Sequence, residues 1–365
     1  ITVDLMWARL INRGRVAALG LGLGLTARSS PVHSLTLSDE LTALRAPWLK
    51  AYADAGFEKR TVTLASGEVV SYFERAAVGA PERVCVFLHG MTASAEGSAG
   101  AVVHATQDIP RSVRCLVPDA PGHASRMQWT LADPTWKGYD RAAHAHDVEE
   151  FLRATAAEQP LDLIGYSMGG GTAYEFAARH VARVHSLSLL APGLLIAPDQ
   201  YETTIDVLRS GLVERCVYNY RTEEQAKEMM RLVGYAEPAV SFLGRVLSAV
   251  RQAHHPPDYW WKMWAAFGCV EASDDPASAV MKQSERLHAD GLVLRAAKLP
   301  VFVVQGSEER VIHSAVPSLI KDAVGESCET KLLDGFGHRG HPTDPKQDFL
   351  KAAGKEVGAF LARIA

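Results

Sequence analysis

Four stretches of this chain carry unbroken runs of β-forming, apolar residues: RVCVFLHG at 83–90, RCLVPDAPGH at 114–123, LDLIGYS at 161–167 and HSLSLLAPG at 185–193. A strand packed on one face alternates polar and apolar side chains, so a continuous run marks a strand covered on both faces. Helical stretches lie between the later runs, over Tyr139–Ala157 and Gly170–Arg183. Two further runs follow a long gap, LPVFVVQGS at 299–307 and ETKLLDGFGH at 329–338. The segment from Pro345 then places Phe349, Leu350, Ala353, Val357, Phe360, Leu361 and Ile364 near helical spacing. Strand and helix in repeated alternation specify an α/β protein with a mostly parallel central sheet flanked by helices. Upstream, KRTVTLASGEVVSYFERA at 59–76 alternates around Ser66-Gly67, a hairpin able to add antiparallel strands at one edge.

The gap between the fourth and fifth runs is too long for a plain connection. It is rich in helix formers and reads as a helical cap inserted into the sheet domain. The chain divides accordingly into an N-terminal extension or leader (1–38), a first part of the core (39–198), the cap (199–290) and a second part of the core (291–365).

The third run ends in Gly165-Tyr166-Ser167-Met168-Gly169, a G-x-S-x-G pattern between a predicted strand and a predicted helix. A sharp turn there lifts the serine clear of the sheet, and glycines make room for it. The helix N-terminus beneath it favours an anion. A serine hydroxyl is a weak nucleophile at neutral pH, so it needs a base within hydrogen-bond reach and a carboxylate to fix that base's tautomer. Among fourteen histidines, His338 stands just past the last apolar run between glycines, with His341 as its competitor three residues on. The carboxylate is expected after the fifth run, where Glu309 is better placed than Glu308; Asp199, after the fourth run, is the third candidate. Acyl transfer also creates an oxyanion, for which two backbone N–H groups serve, those of Met168 and of Met91 after His89-Gly90.

Other features narrow the function. A net charge of −4 with no long basic run excludes a broad field for nucleic acid. The five cysteines are odd in number and widely spaced, and read as reduced thiols of an intracellular protein. The first 30 residues hold four arginines and one acid around a 12-residue apolar stretch. That is short of the roughly 20 residues a membrane span needs. They read as an amphipathic or organelle-targeting leader in peripheral contact with a membrane, or as an extension packed on the domain. His144, His146 and Asp147 form an H-x-H-D string, but residues two apart on a helix point in different directions, so no metal site is expected and the segment reads as a solvated or capping face. LGLGLG at 19–24 lacks the preceding strand and the later acid of a dinucleotide site, and no cofactor is expected. In the cap, Trp260, Trp261, Trp264 and Phe267, together with Met229, Met230, Met263 and Met281, form an apolar set. It serves either the cap's own packing or, in Trp260, Trp261, Trp264 and Met263, a channel for an acyl chain.

FLHGM, PDAPGHASR, GYSMGGGTAYEFA, VFVVQGSEERVI and DGFGHRGHP follow one another in the order and spacing of the α/β-hydrolase superfamily, from about residue 60 to the end apart from the cap. The cap segments APGLL and TEEQAKEMMRLVGYAEPAV resemble those of the membrane-associated monoacylglycerol lipases. The resemblance implies Ser167 as nucleophile, His338 as base, Glu309 as acid, and Met91 and Met168 as oxyanion donors. The chain departs from the pattern in three places. Glu309 stands where these lipases usually have Asp, PGHASR lacks the usual second glycine, and the N-terminal apolar run is shorter than a membrane anchor. The expectation is hydrolysis of a small-molecule carboxylic ester, lipid-like as in a monoacylglycerol. A thioesterase, amidase or C–C bond hydrolase, or a non-catalytic ligand-binding member of the fold, stands as the alternative.

Overall fold

The structure is a computed structural model and describes residues 37–133, 135–136, 138–194, 216–269, 276–344 and 346–365. The segment read as a leader lies outside the described residues up to position 36, and so does Asp199.

A helix α1 (Leu37–Asp54) precedes the hairpin β1 (Glu58–Thr63) and β2 (Val69–Arg75). The chain then runs β3 (Arg83–Leu88), α2 (Ala99–Thr106), β4 (Val113–Pro118), α3 (Met127–Ala132), α4 (Arg141–Ala154), β5 (Leu161–Tyr166), α5 (Met168–Arg179) and β6 (Val184–Leu190). Among the described residues, four helices follow before the sheet resumes: α6 (Glu223–Leu232), α7 (Ala239–His254), α8 (Tyr259–Cys269) and α9 (Pro276–Ala296). The chain closes with β7 (Val301–Gly306), α10 (Val316–Val324), β8 (Cys328–Leu333) and α11 (Phe349–Ile364). Among the described residues, no helix is long and apolar enough to cross a membrane.

The eight strands form one sheet in the order β1-β2-β4-β3-β5-β6-β7-β8. Strand β2 is antiparallel to both β1 and β4, whereas the remaining pairs are parallel. The unbroken apolar runs have the expected cause: every residue of β5 and β7 is buried, because helices cover both faces. Strand β8 differs. Its middle four residues are exposed, and Lys331 among them suits an edge that must not pair with another chain. The predicted start of the helix after Ser167, at Gly170, is two residues late. Glycines 169–171 are helical despite their low propensity, because the chain around Leu88, Pro192 and Gly193 presses too closely on this turn for side chains.

The cap methionines do not form one set. Met229 and Met230 pack with Tyr220, Val233 and Val240 between α6 and α7, and Met281 is exposed. Met263 instead packs with Tyr259 and Trp260 against Met91 and Met127 of the sheet domain. Cys85, Cys115, Cys216 and Cys328 are free and buried.

Candidate active site

Ser167 connects the C-terminal end of β5 to the first turn of α5, with φ 51° and ψ −117°. A non-glycine residue in this left-handed region stores about 1–3 kcal/mol of strain, held in place by the packing around it. Gly165 and Gly169 permit the turn by close approach: a methyl on Gly165 would stand 2.4 Å from the Gly169 oxygen, and one on Gly169 would stand 2.1 Å from that of Leu88. Ser167 N–H donates to the Leu190 carbonyl at 2.9 Å, and the Ser167 carbonyl accepts from Gly170, Gly171 and Gly193. These bonds satisfy the turn's own polar groups and leave the hydroxyl for another partner.

That partner is His338, whose Nε2 lies 3.0 Å from Ser167 Oγ. On the other side of the ring, Nδ1 lies 2.7 Å from Glu309 Oε2. The second Glu309 oxygen accepts from the backbone N–H groups of Val311 (2.7 Å) and Ile312 (3.1 Å). Burial pushes the Glu309 carboxyl up. The charge of His338, its hydrogen bond and the two backbone donors outweigh burial and hold the group below the usual carboxylate range. The side chain is 1% exposed, so this carboxylate is sustained by its partners and not by water.

The loop that presents His338 is pinned from three directions. Tyr166 O–H donates to the His338 carbonyl at 3.1 Å, Arg339 N–H donates to the Val233 carbonyl at 2.7 Å, and the Arg339 guanidinium reaches the Gly97 carbonyl at 3.1 Å. His341 and Glu308 stand apart from this arrangement. His341 accepts from the Thr343 N–H and packs on Phe336, while the Glu308 side chain is exposed.

Met168 is the first residue of α5, and Met91 follows a glycine that a methyl group would bring within 3.1 Å of Ser167 Cβ. Neither Met91 N–H nor Met168 N–H has a backbone acceptor among the described residues. Met168 directly follows the serine, and the glycine before Met91 packs against it.

Of the tryptophans read as substrate-binding, Trp260 is buried beside Met263 in the cluster that includes Met91. Trp261 and Trp264 lean on each other at 5.7 Å and are half-buried.

The reading of the 144–147 string as a solvated or capping face holds for the exposed His146 and is corrected for His144 and Asp147. Asp147 makes a two-pronged ion pair with Arg126 at 2.7 and 2.6 Å, and His144 is buried. Arg126, 1% exposed, also binds both carboxylate oxygens of Glu68 in the β1–β2 turn. It thereby locks the hairpin, the 119–126 loop and α4 together behind the serine. Sequence reasoning missed this arginine and the buried His123 near it. The one signal available was the PGHASR stretch itself, noted only for the glycine it lacks.

The comparisons agree with this fold. A family model described as alpha/beta hydrolase fold matches residues 84–345. Monoacylglycerol lipase ABHD6 of Homo sapiens is 25% identical over 257 residues, covering 69% of each chain. The Bos taurus protein of the same name is 23% identical over 233 residues, covering 63% of each. Among solved structures, a membrane phospholipase A described as a bacterial virulence factor superposes with a TM-score of 0.64 at 17% identity, covering 100% of this chain and 99% of its own. A putative lipase from Acinetobacter baumannii gives 0.64 at 14%, covering 92% of this chain and 99% of its own. At these identities the structural likeness is one of fold. With the family model spanning more than half its length, the chain belongs to the alpha/beta hydrolase fold family.

Proposed function

We propose that this protein is a serine hydrolase of carboxylic esters with a lipid-like acyl group, a monoacylglycerol being the type. The observation that carries the reading is the unbroken hydrogen-bonded path from Glu309 through both nitrogens of His338 to the strained Ser167. Ser167 Oγ attacks the ester carbonyl while His338 Nε2 takes its proton, and Glu309 stabilises the imidazolium so formed. Negative charge on the tetrahedral oxygen is met by Met91 N–H and Met168 N–H. His338 returns the proton to the leaving alcohol, and a water activated by the same ring then releases the acid from the acyl-serine. The relatives' names support a lipid-like acyl chain.

A fluorophosphonate probe should label the protein at Ser167, and Ser167→Ala should abolish labelling. Across p-nitrophenyl and glycerol esters of increasing chain length, kcat/KM should rise from acetyl toward medium and long chains. A preference for acetyl esters, or for thioesters or amides over esters, would redirect the substrate assignment.

A further inference from the structure

A row of buried aromatic rings lies between the inserted helices and the loop that carries Met91. His89, at the end of β3, is 1% exposed. Its Nδ1–H donates to the Gly90 carbonyl at 2.9 Å, and its Nε2 accepts from the Ala120 N–H at 2.9 Å. These two bonds fix one neutral tautomer. The first, with the Ala93 N–H that donates to the same oxygen at 3.2 Å, also holds a peptide plane. The C=O and N–H of a trans peptide point in opposite directions, so tethering the Gly90 oxygen to His89 turns the Met91 N–H the other way.

His123 meets His89 edge to face, with ring centroids 5.2 Å apart and planes at 65°. On its other side it meets Trp260 of α8 in the same manner, at 5.1 Å and 66°. Next to it, Tyr259 O–H donates to the Gly122 carbonyl at 2.5 Å, so α8 grips the 121–123 turn at two neighbouring points. The His123 ring donates from Nδ1 to the Pro121 carbonyl, whereas its Nε2 is fully buried without a partner among the described residues. A buried unpaired nitrogen costs about 1–3 kcal/mol, so this nitrogen is not what makes the ring useful there. What remains is the ring itself, wedged between Trp260 and His89. Burial holds His123 and His89 below the usual imidazole range, which keeps both rings neutral.

We propose that His123 is a positioning residue that passes the seating of helix α8, through Trp260 and His89, to the Gly90–Met91 peptide, so that the inserted helices set the aim of the oxyanion donor. The inference rests on the serine-hydrolase reading and adds a condition to it: α8 must be seated for hydrolysis to run at full rate.

His123→Phe keeps a ring between Trp260 and His89 but loses the bond to Pro121, whereas His123→Asn keeps a donor for that bond and loses the ring. With a soluble p-nitrophenyl ester, His123→Phe should stay within about threefold of the parent kcat, and His123→Asn should fall about tenfold or more, with KM within about twofold in both. Trp260→Leu should lower kcat in the parent and have little further effect in the His123→Asn background. Equal losses in the Phe and Asn variants, or an undiminished kcat in His123→Asn, would overturn the proposal whatever happens to the melting temperature.

If His123→Asn does not fold, His89 supplies the same test. His89→Asn can still donate to Gly90, while His89→Gln reaches only toward Ala120, so the Asn variant must keep the higher kcat at similar KM. Equal rates would break the relay at its last link. Fluorophosphonate labelling that requires Ser167 alongside unaffected His123 variants would sink this inference alone, and labelling that persists in Ser167→Ala would sink the hydrolase reading beneath it.

Discussion

The two ends of the same parallel sheet each gather a histidine, a carboxylate and a serine, and wire them differently. At the C-terminal ends of β5, β7 and β8, His338 stands between Glu309 and Ser167 and uses one ring nitrogen for each. At the N-terminal ends of β5 and β6, His185 Nδ1 and Ser186 Oγ both reach a single oxygen, Asp162 Oδ1, at 2.9 and 2.7 Å, with Arg83 nearby. There the serine O–H donates a hydrogen bond straight to the acid, with no histidine between them. Its backbone lies in a regular strand and not at the start of a helix. Residue types are shared by the two clusters; the order of hydrogen bonds and the backbone beneath the serine are not. One cluster can move a proton to a departing group, and the other ties three strand ends together.

This contrast is open to direct attack. Ser167→Ala should cost at least about 10⁴-fold in kcat/KM on an ester, by the magnitude typical of such nucleophiles, whereas Ser186→Ala should leave kcat/KM within about twofold. Steady-state kinetics on both variants decides it. Comparable losses would erase the distinction.

The two acids sharpen it further. Glu309→Gln should lower kcat by about 10³-fold with little change in melting temperature, since the amide can still occupy the site while losing the charge that steadies the imidazolium. Asp162→Asn should do the opposite, destabilising the fold by about 3 kcal/mol, because the Arg83 charge is left behind, with activity per folded molecule retained. Chemical denaturation and kinetics on the same samples separate the two.

A pH titration of stability tests which end is more acid-sensitive. His89, His123 and His144 are all held below the usual imidazole range by burial, His144 down to about 3. The native state keeps them neutral while the unfolded chain takes up protons below about 6.5, so stability must fall as pH drops from there. Each such histidine removes up to about 1.4 kcal/mol per pH unit until its native value is reached. Glu309, depressed in the native state, adds a loss of the same sign below the ordinary carboxylate range. Asp290, raised to about 6, works against them, gaining stability as pH falls through that value. The urea midpoint should therefore decline between pH 6.5 and 4, and His144→Phe should flatten the slope. A midpoint that rises on acidification would contradict this assignment of neutral rings.

Among the residues around His338, the smallest expected loss is at Tyr166. Removing its hydroxyl in Tyr166→Phe loses one hydrogen bond to the His338 carbonyl, worth about 1 kcal/mol of stability, with a loss of kcat of a few-fold.

Much of this was legible in the sequence for local reasons. Strands β3, β5, β6 and β7 announce themselves because burial on both faces demands continuous apolar side chains. The elbow is legible because a strained turn between strand and helix tolerates almost nothing but glycine beside its serine. Glu309 and Glu308 were not separable with certainty by residue type, since adjacent residues on a loop point apart and only the fold says which way. Asp147 was misread as a solvated group because its partner, Arg126, is 21 residues away in sequence and reaches it only when the 119–126 loop folds over α4. The cap methionines were pooled for a related reason: helical periodicity shows that a face is apolar but not which neighbour it meets.

By itself, the sequence determined the alternation of strand and helix, the serine at its sharp turn, and the short lists from which base and acid had to come, because these depend on side-chain period and on backbone sterics a few residues wide. The tertiary structure alone decided that Glu309 and not Glu308 turns inward, that His338 joins it to Ser167, and that Trp260 of α8 meets His89 through the His123 ring. Those contacts close loops of up to 171 residues, and no local rule carries information across such distances until the sheet has brought its strand ends together.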